Sequence, residues 1–161
     1  MPIPKFLKRL LWLWAFFGVF FIAIIVLNIF VDHHVPVSAD GRVITLTDES
    51  GGSVVRTVDI ADDHDEWRRG LQNRPVVERG MLFVFPDEEP RSFWMKDTLV
   101  DLDIAYFRAD GSFVSSAHMV PCAKDPCAFY PSAEPATFAL ELPSGDIGPH
   151  IGSGWVLTTG L

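Results

Sequence analysis

The stretch LDIAYFRADGSFVSSAHMV, residues 102–120, decides how this chain folds. Leu102–Arg108 and Ser112–Val120 are strand-like runs on either side of Ala109-Asp110-Gly111. An Asp-Gly pair tolerates the positive φ that a tight hairpin turn demands, so the stretch predicts two antiparallel strands.

Working outward, the same signal repeats. Arg42–Thr47 and Ser53–Ile60 are β-branched runs around Asp48-Glu49-Ser50-Gly51-Gly52, a hairpin with a longer loop. Met81–Phe85 and Ser92–Lys96 are aromatic-rich and bounded by Pro86 and Pro90. In Thr137–Leu142, Phe138, Leu140 and Leu142 alternate with Thr137, Ala139 and Glu141, the period of a strand. Trp155–Thr159 supplies a last strand. One segment reads differently. Asp62, Asp63, Asp65 and Glu66 precede Trp67, Arg68, Arg69 and Gly70, which matches a short helix with acids at its positive end and arginines at its negative end. The acidic cluster lacks the alternating oxygens and glycine of a calcium loop, so helix-dipole complementarity accounts for it. Many short strands and one helix predict a mostly β fold, a small antiparallel β-sandwich or barrel-like domain.

A single N-terminal transmembrane helix is expected ahead of that domain. Leu10–Val31 runs for 22 positions without Asp, Glu, Lys or Arg. As a helix it spans ~33 Å, enough for a hydrocarbon core of ~30 Å. Lys5, Lys8 and Arg9 precede it, and Trp12 and Trp14 fall where an interfacial aromatic belt lies. The expected organisation is a cytoplasmic N-terminus at 1–9, a signal anchor at 10–31, a tether at 32–41 and an extracytoplasmic domain at 42–161. That places the chain as a single-pass protein of an inner or plasma membrane, with the domain periplasmic in a Gram-negative cell. Val37-Ser38-Ala39 offers the alternative of cleavage after Ala39, although an apolar core this long exceeds that of an ordinary signal peptide.

Beyond residue 31 lie all 21 acidic residues and 10 of the 13 basic ones, a formal charge of −11. Such a domain repels nucleic acid and anionic headgroups, so no nucleic-acid partner is expected. Cys122 and Cys127, the only cysteines, are spaced C-x4-C, which in an exported domain predicts a disulfide. The alternative is a transition-metal site drawing on His118, Met119 or Met95, with or without the cysteines and Asp125. No cofactor is otherwise indicated.

Several ordered blocks resemble one family. They are Arg69-Gly70-Leu71-Gln72-Asn73-Arg74, Gly80-Met81-Leu82-Phe83-Val84-Phe85, Phe93-Trp94-Met95-Lys96-Asp97-Thr98 with Leu102-Asp103-Ile104, Pro121-Cys122 through Cys127 and Tyr130, and Leu140-Glu141-Leu142 followed by Gly145. Together they are similar to domain-of-unknown-function family 192 over roughly residues 42–158. The resemblance implies a small, mostly β, sandwich-like domain and no established activity. Three positions depart from the family pattern, which usually has Met at 72, Asn at 97 and Asp at 155; this chain has Gln72, Asp97 and Trp155.

The candidate ligand-binding residues are Trp94, Lys96, Asp97, Asp103 and Glu141. In an extended segment Trp94, Lys96 and Thr98 share one face, and an indole beside charged groups can stack on a sugar or hold a cation. Asp103, among Leu102, Ile104 and Ala105, is expected to be partly buried and paired with Arg74. The first functional reading is noncatalytic binding of a small polar or saccharide ligand, or of an extracytoplasmic partner protein, in an aromatic-floored cleft near Trp94. The second is a hydrolase in which Asp97, Asp103 or Glu141 supply a carboxylate pair. The chain has no serine elbow, H-E-x-x-H or phosphate loop. The third is transition-metal binding.

Overall fold

The computed structural model describes residues 41–146 and 151–161, so the expected anchor at 10–31, the cleavage site and nearly all of the tether lie outside the described residues. Among the described residues no helix is long and apolar enough to cross a membrane. The described residues hold nine strands and one helix, in the order β1 (Arg42–Thr47), β2 (Ser53–Ala61), α1 (His64–Arg69), β3 (Met81–Glu89), β4 (Ser92–Trp94), β5 (Leu102–Phe107), β6 (Phe113–Met119), β7 (Phe129–Pro131), β8 (Ala136–Pro143) and β9 (Val156–Thr159).

Seven strands form one sheet in the order β6-β5-β8-β3-β2-β1-β9, and β4 pairs with β7 in a small second sheet. The seven-stranded sheet curls until its ends approach: Ser112, just before β6, bridges Val156 of β9. The mostly β expectation therefore holds, with one correction to its antiparallel arrangement. The sheet is mixed, because β2 and β3 run parallel, Asp59 opposite Met81 and Ala61 opposite Phe83. Parallel neighbours need a crossover, and residues 62–80, with α1 inside them, provide it.

The central strands are buried on both faces. Leu82, Ala105, Phe107, Leu140 and Leu142 point inward with Ile44, Leu46, Val58 and Leu157, which the curled edge brings over them. Met81, Phe83, Ile104, Tyr106 and Ala139 point the other way and are roofed by Leu71, Val77, Met95 and the partly buried Trp67, Phe93 and Tyr130. The roof is aromatic: Phe93 packs edge-on against Phe83, with centroids 4.8 Å apart, and against Tyr106 at 5.9 Å.

The helix begins as its sequence demands. The Asp63 carboxylate accepts hydrogen bonds from the Asp65 and Glu66 N–H groups, both at 2.9 Å, and the chain leaves through Gly70 at φ 46°. Two expected strands change length and one strand is new. β3 continues through Pro86 to Glu89 with a register shift after Val84, where the ladder needs no donor from proline. β4 stops at Trp94 because Met95–Thr98 form a turn, the Thr98 N–H donating to the Met95 carbonyl at 3.3 Å. β7 adds a three-residue strand in a stretch punctuated by Pro126, Pro131 and Pro135.

Candidate functional site

Trp94 and Phe129 are direct partners across β4 and β7. Partners in register project from the same face, so the two rings meet. Their planes lie 5° apart with centroids 6.1 Å apart. Both rings are open to solvent, Trp94 at 47% and Phe129 at 65% of full exposure. The neighbouring positions Phe93 and Tyr130 point into the roof, which fixes the orientation of the pair. Tyr130 is held further by two hydrogen bonds: Tyr106 Oη donates to its carbonyl at 2.5 Å, and its own hydroxyl accepts from the Val120 N–H at 3.2 Å.

Beside the rings, the Lys96 ammonium donates to Asp125 Oδ2 at 2.7 Å. That hydrogen bond, ahead of the charge of Asp125, raises the Lys96 pKa above its ordinary value. Asp125 belongs to the loop closed by the Cys122–Cys127 disulfide, with S–S at 2.09 Å and Cα–Cα at 5.4 Å. The disulfide expected from the spacing is therefore present, and its sulfurs are bonded to each other rather than free for a metal. Asp97 is exposed in the turn at φ 57°, and its carbonyl accepts from the N–H of Asn73, also at φ 57°. This left-handed conformation favours Asn and Asp, which is why an amide and a carboxylate can replace one another at position 97. The turn also breaks the expected alternation: Thr98 is buried, whereas Trp94 is exposed.

The other two candidates sit elsewhere. Asp103 is not paired with Arg74. Its Oδ1 lies 2.9 Å from His118 Nδ1, and its Oδ2 accepts from the Gly145 N–H at 2.9 Å. Arg74 instead donates to Asp59 at 2.9 Å, a carboxylate also 3.7 Å from Arg79. Ser144 Oγ approaches the same His118 nitrogen at 3.2 Å. Asp103 and Ser144 thus share Nδ1 instead of flanking the ring, so the trio has no proton path from hydroxyl through imidazole to carboxylate.

Glu141 lies opposite both Met81 and Ile104 and points into the roofed face, 4% exposed. Burial alone pushes its carboxyl up to about 8. Asp103 precedes Ile104 along β5, and strand side chains alternate, so Asp103 and Glu141 leave the sheet from opposite faces. They cannot act on one bond, which removes that carboxylate pair. The same alternation separates exposed His118 from buried Met119, so the two cannot share a metal.

Of the five candidates, Trp94 pairs with Phe129, and Lys96, two residues further on and next to Asp97 in the chain, pairs with Asp125. Phe129 was missing from the candidates; its only signal is a large aromatic two residues beyond Cys127 among prolines. A cavity of about 220 Å³ lies away from the pair, beside Arg42, Ile44, Ile60 and Thr159. The rings form an open surface.

A curled mixed sheet with a small disulfide-braced sheet beside it defines the structural class. The chain belongs to family DUF192, described as "Uncharacterized ACR", which matches residues 44–154. Two crystal structures are similar. One, from Sinorhizobium meliloti 1021, is described only provisionally as a transcription regulator; it is 29% identical with a TM-score of 0.68, over 74% of this chain and 94% of that one. The other, a protein of unknown function from Novosphingobium aromaticivorans DSM 12444, is 28% identical with a TM-score of 0.67, over 76% of this chain and 89% of that one. No curated protein matches.

Proposed function

We propose that this chain is a noncatalytic binding protein whose domain engages a saccharide through Trp94 and Phe129, outside the cytoplasm and tethered by the apolar segment 10–31. The observation that carries the reading is the exposed parallel ring pair on a braced two-stranded sheet. Large apolar side chains rarely sit together in water without a partner. The apolar face of a sugar ring suits an aromatic surface, and Lys96, Asp97 and Asp125 lie at its edge with donors and acceptors for hydroxyl groups. A hydrolase has less support, because Asp103 and Glu141 face apart. Contact with nucleic acid, which a transcription regulator would make, is opposed by the charge of −11 beyond residue 31.

The test is binding of neutral oligosaccharides, followed by titration calorimetry. Trp94→Ala and Phe129→Ala should each abolish measurable binding while the fold is retained. Unchanged binding by both variants, or no saccharide bound by the wild type, would sink the reading. The anchor is tested separately: membrane fractionation with protease added to intact spheroplasts should digest the domain, and protection of the domain would refute the topology.

A further inference from the structure

We propose that the Cys122–Cys127 loop is a redox-gated site for a thiophilic divalent cation of the zinc type, closed as the disulfide and opened by reduction. The argument starts from placement. One ligand atom each from Cys122, Asp125 and Cys127 can be chosen so that all lie within 4.8 Å of one another. Asp125 Oδ1 is 3.5 Å from Cys127 Sγ. A C-x4-C spacing falls within the range that lets two thiolates share one zinc ion, and a carboxylate is an accepted third ligand.

The loop is also held at both ends by bonds that reduction leaves alone. The Cys122 N–H donates to the Met95 carbonyl at 3.3 Å, and Phe129 begins the strand paired with β4. Both cysteines therefore stay near Asp125 once the sulfur–sulfur bond is gone. Opening the site is a two-electron step. A dithiol reductant supplies two electrons and two protons, the S–S bond breaks, two thiols form, and the reductant leaves as its own disulfide. Cation binding then releases the two thiol protons, as thiolate ligation requires.

Lys96 completes the site from outside. Its ammonium holds Asp125 Oδ2 at 2.7 Å, leaving Oδ1 directed at the sulfur. Two thiolates and a carboxylate around a divalent cation carry one net negative charge, and the lysine offsets it. A hydrogen-bonded second oxygen of this kind orients a ligating carboxylate. With three protein ligands, the fourth position is left for water. The site shares Lys96 and Asp125 with the saccharide reading but uses neither ring, so a cobalt signal reports on it without any sugar present.

The experiment titrates the full chain with Co²⁺ as a spectroscopic stand-in and then displaces it with Zn²⁺. The reduced protein should bind one equivalent with thiolate-to-cobalt charge-transfer absorption, and the oxidised protein should show none. Asp125→Asn should weaken binding at least tenfold, and Lys96→Met by less. Equal binding before and after reduction overturns the proposal, as does no stoichiometric binding after it. Asp125→Asn binding like wild type also overturns it, and so does a reduced protein that has lost its β-sheet circular dichroism.

Discussion

Gly111 and Leu157 hold the curled sheet closed. The Leu157 N–H donates to the Gly111 carbonyl at 2.8 Å, while a Cβ on Gly111 would lie 2.1 Å from the Leu157 carbonyl oxygen. Gly111 also has φ +82°, a conformation that costs an L-residue about 1–2 kcal/mol by itself. The obstacle is backbone, so it cannot rotate aside. Gly111→Ala should therefore lose about 2–4 kcal/mol, more than the turn alone explains. Urea denaturation measures the loss, and hydrogen exchange should show β9 losing protection first. A variant as stable as wild type would remove this contact from the account of the fold.

Glu141 makes stability depend on pH with a defined sign. Its folded pKa stands at about 8 because burial disfavours the anion, whereas an unfolded Glu titrates near ~4.3. Between those values the folded state binds more protons than the unfolded state, so stability falls as pH rises. The group exerts no such drag below the unfolded value, and the fall levels off above about 8. The slope approaches ~1.4 kcal/mol per pH unit inside the window. Urea midpoints from pH 5 to 9 should show the decline. Glu141→Gln, uncharged throughout, should flatten it and be the more stable protein at pH 8. A wild-type profile without slope would mean that the carboxyl finds a partner when ionised.

Asp59 is buried beneath two arginines, and the better placed is Arg74. Removing one partner of a buried pair leaves a charge without its counter-ion, the costly half of such interactions. Arg79 remains at 3.7 Å and Arg74 is itself partly exposed, which moderates the effect. Arg74→Ala should cost about 1–3 kcal/mol by chemical denaturation. A loss below about 0.5 kcal/mol, typical of a surface change, would show that Arg79 alone suffices.

Local chemistry made most of the strands legible, and topology was where it ran out. The Asp-Gly turn at 110–111 announced β5 and β6, and the charge order around Trp67 announced α1. Nothing in β2 or β3 distinguishes a parallel from an antiparallel neighbour, since both ladders accept the same apolar residues. β7 escaped because proline-flanked Phe129–Pro131 has no turn and no alternation to read. Asp103 and Arg74 were paired by charge alone, yet the crossover carries Arg74 to Asp59. Trp94 could be read as a candidate; its partner could not, because the register that joins it to Phe129 exists only once the disulfide loop folds back on β4.

Trp94 and Phe129 should matter little to folding. Phe129 keeps 65% and Trp94 47% of its full exposure, so truncating either removes only part of a buried ring's contribution. Phe129→Ala should lose less than about 1 kcal/mol and Trp94→Ala less than about 2 kcal/mol, and a double-mutant cycle should return a coupling of about 0.2–1 kcal/mol, the range of cross-strand aromatic pairs. Denaturation of the two single variants and the double variant gives all three values. Phe93→Ala on the same strand provides the contrast, since that ring packs against Phe83 and Tyr106 and should cost about 3 kcal/mol. If Trp94→Ala proved as damaging as Phe93→Ala, the exposed pair would be holding the small sheet together, and loss of saccharide binding in that variant would say nothing about recognition. A small loss leaves the pair without a structural task, and a ligand becomes the reason for keeping two aromatic rings in water.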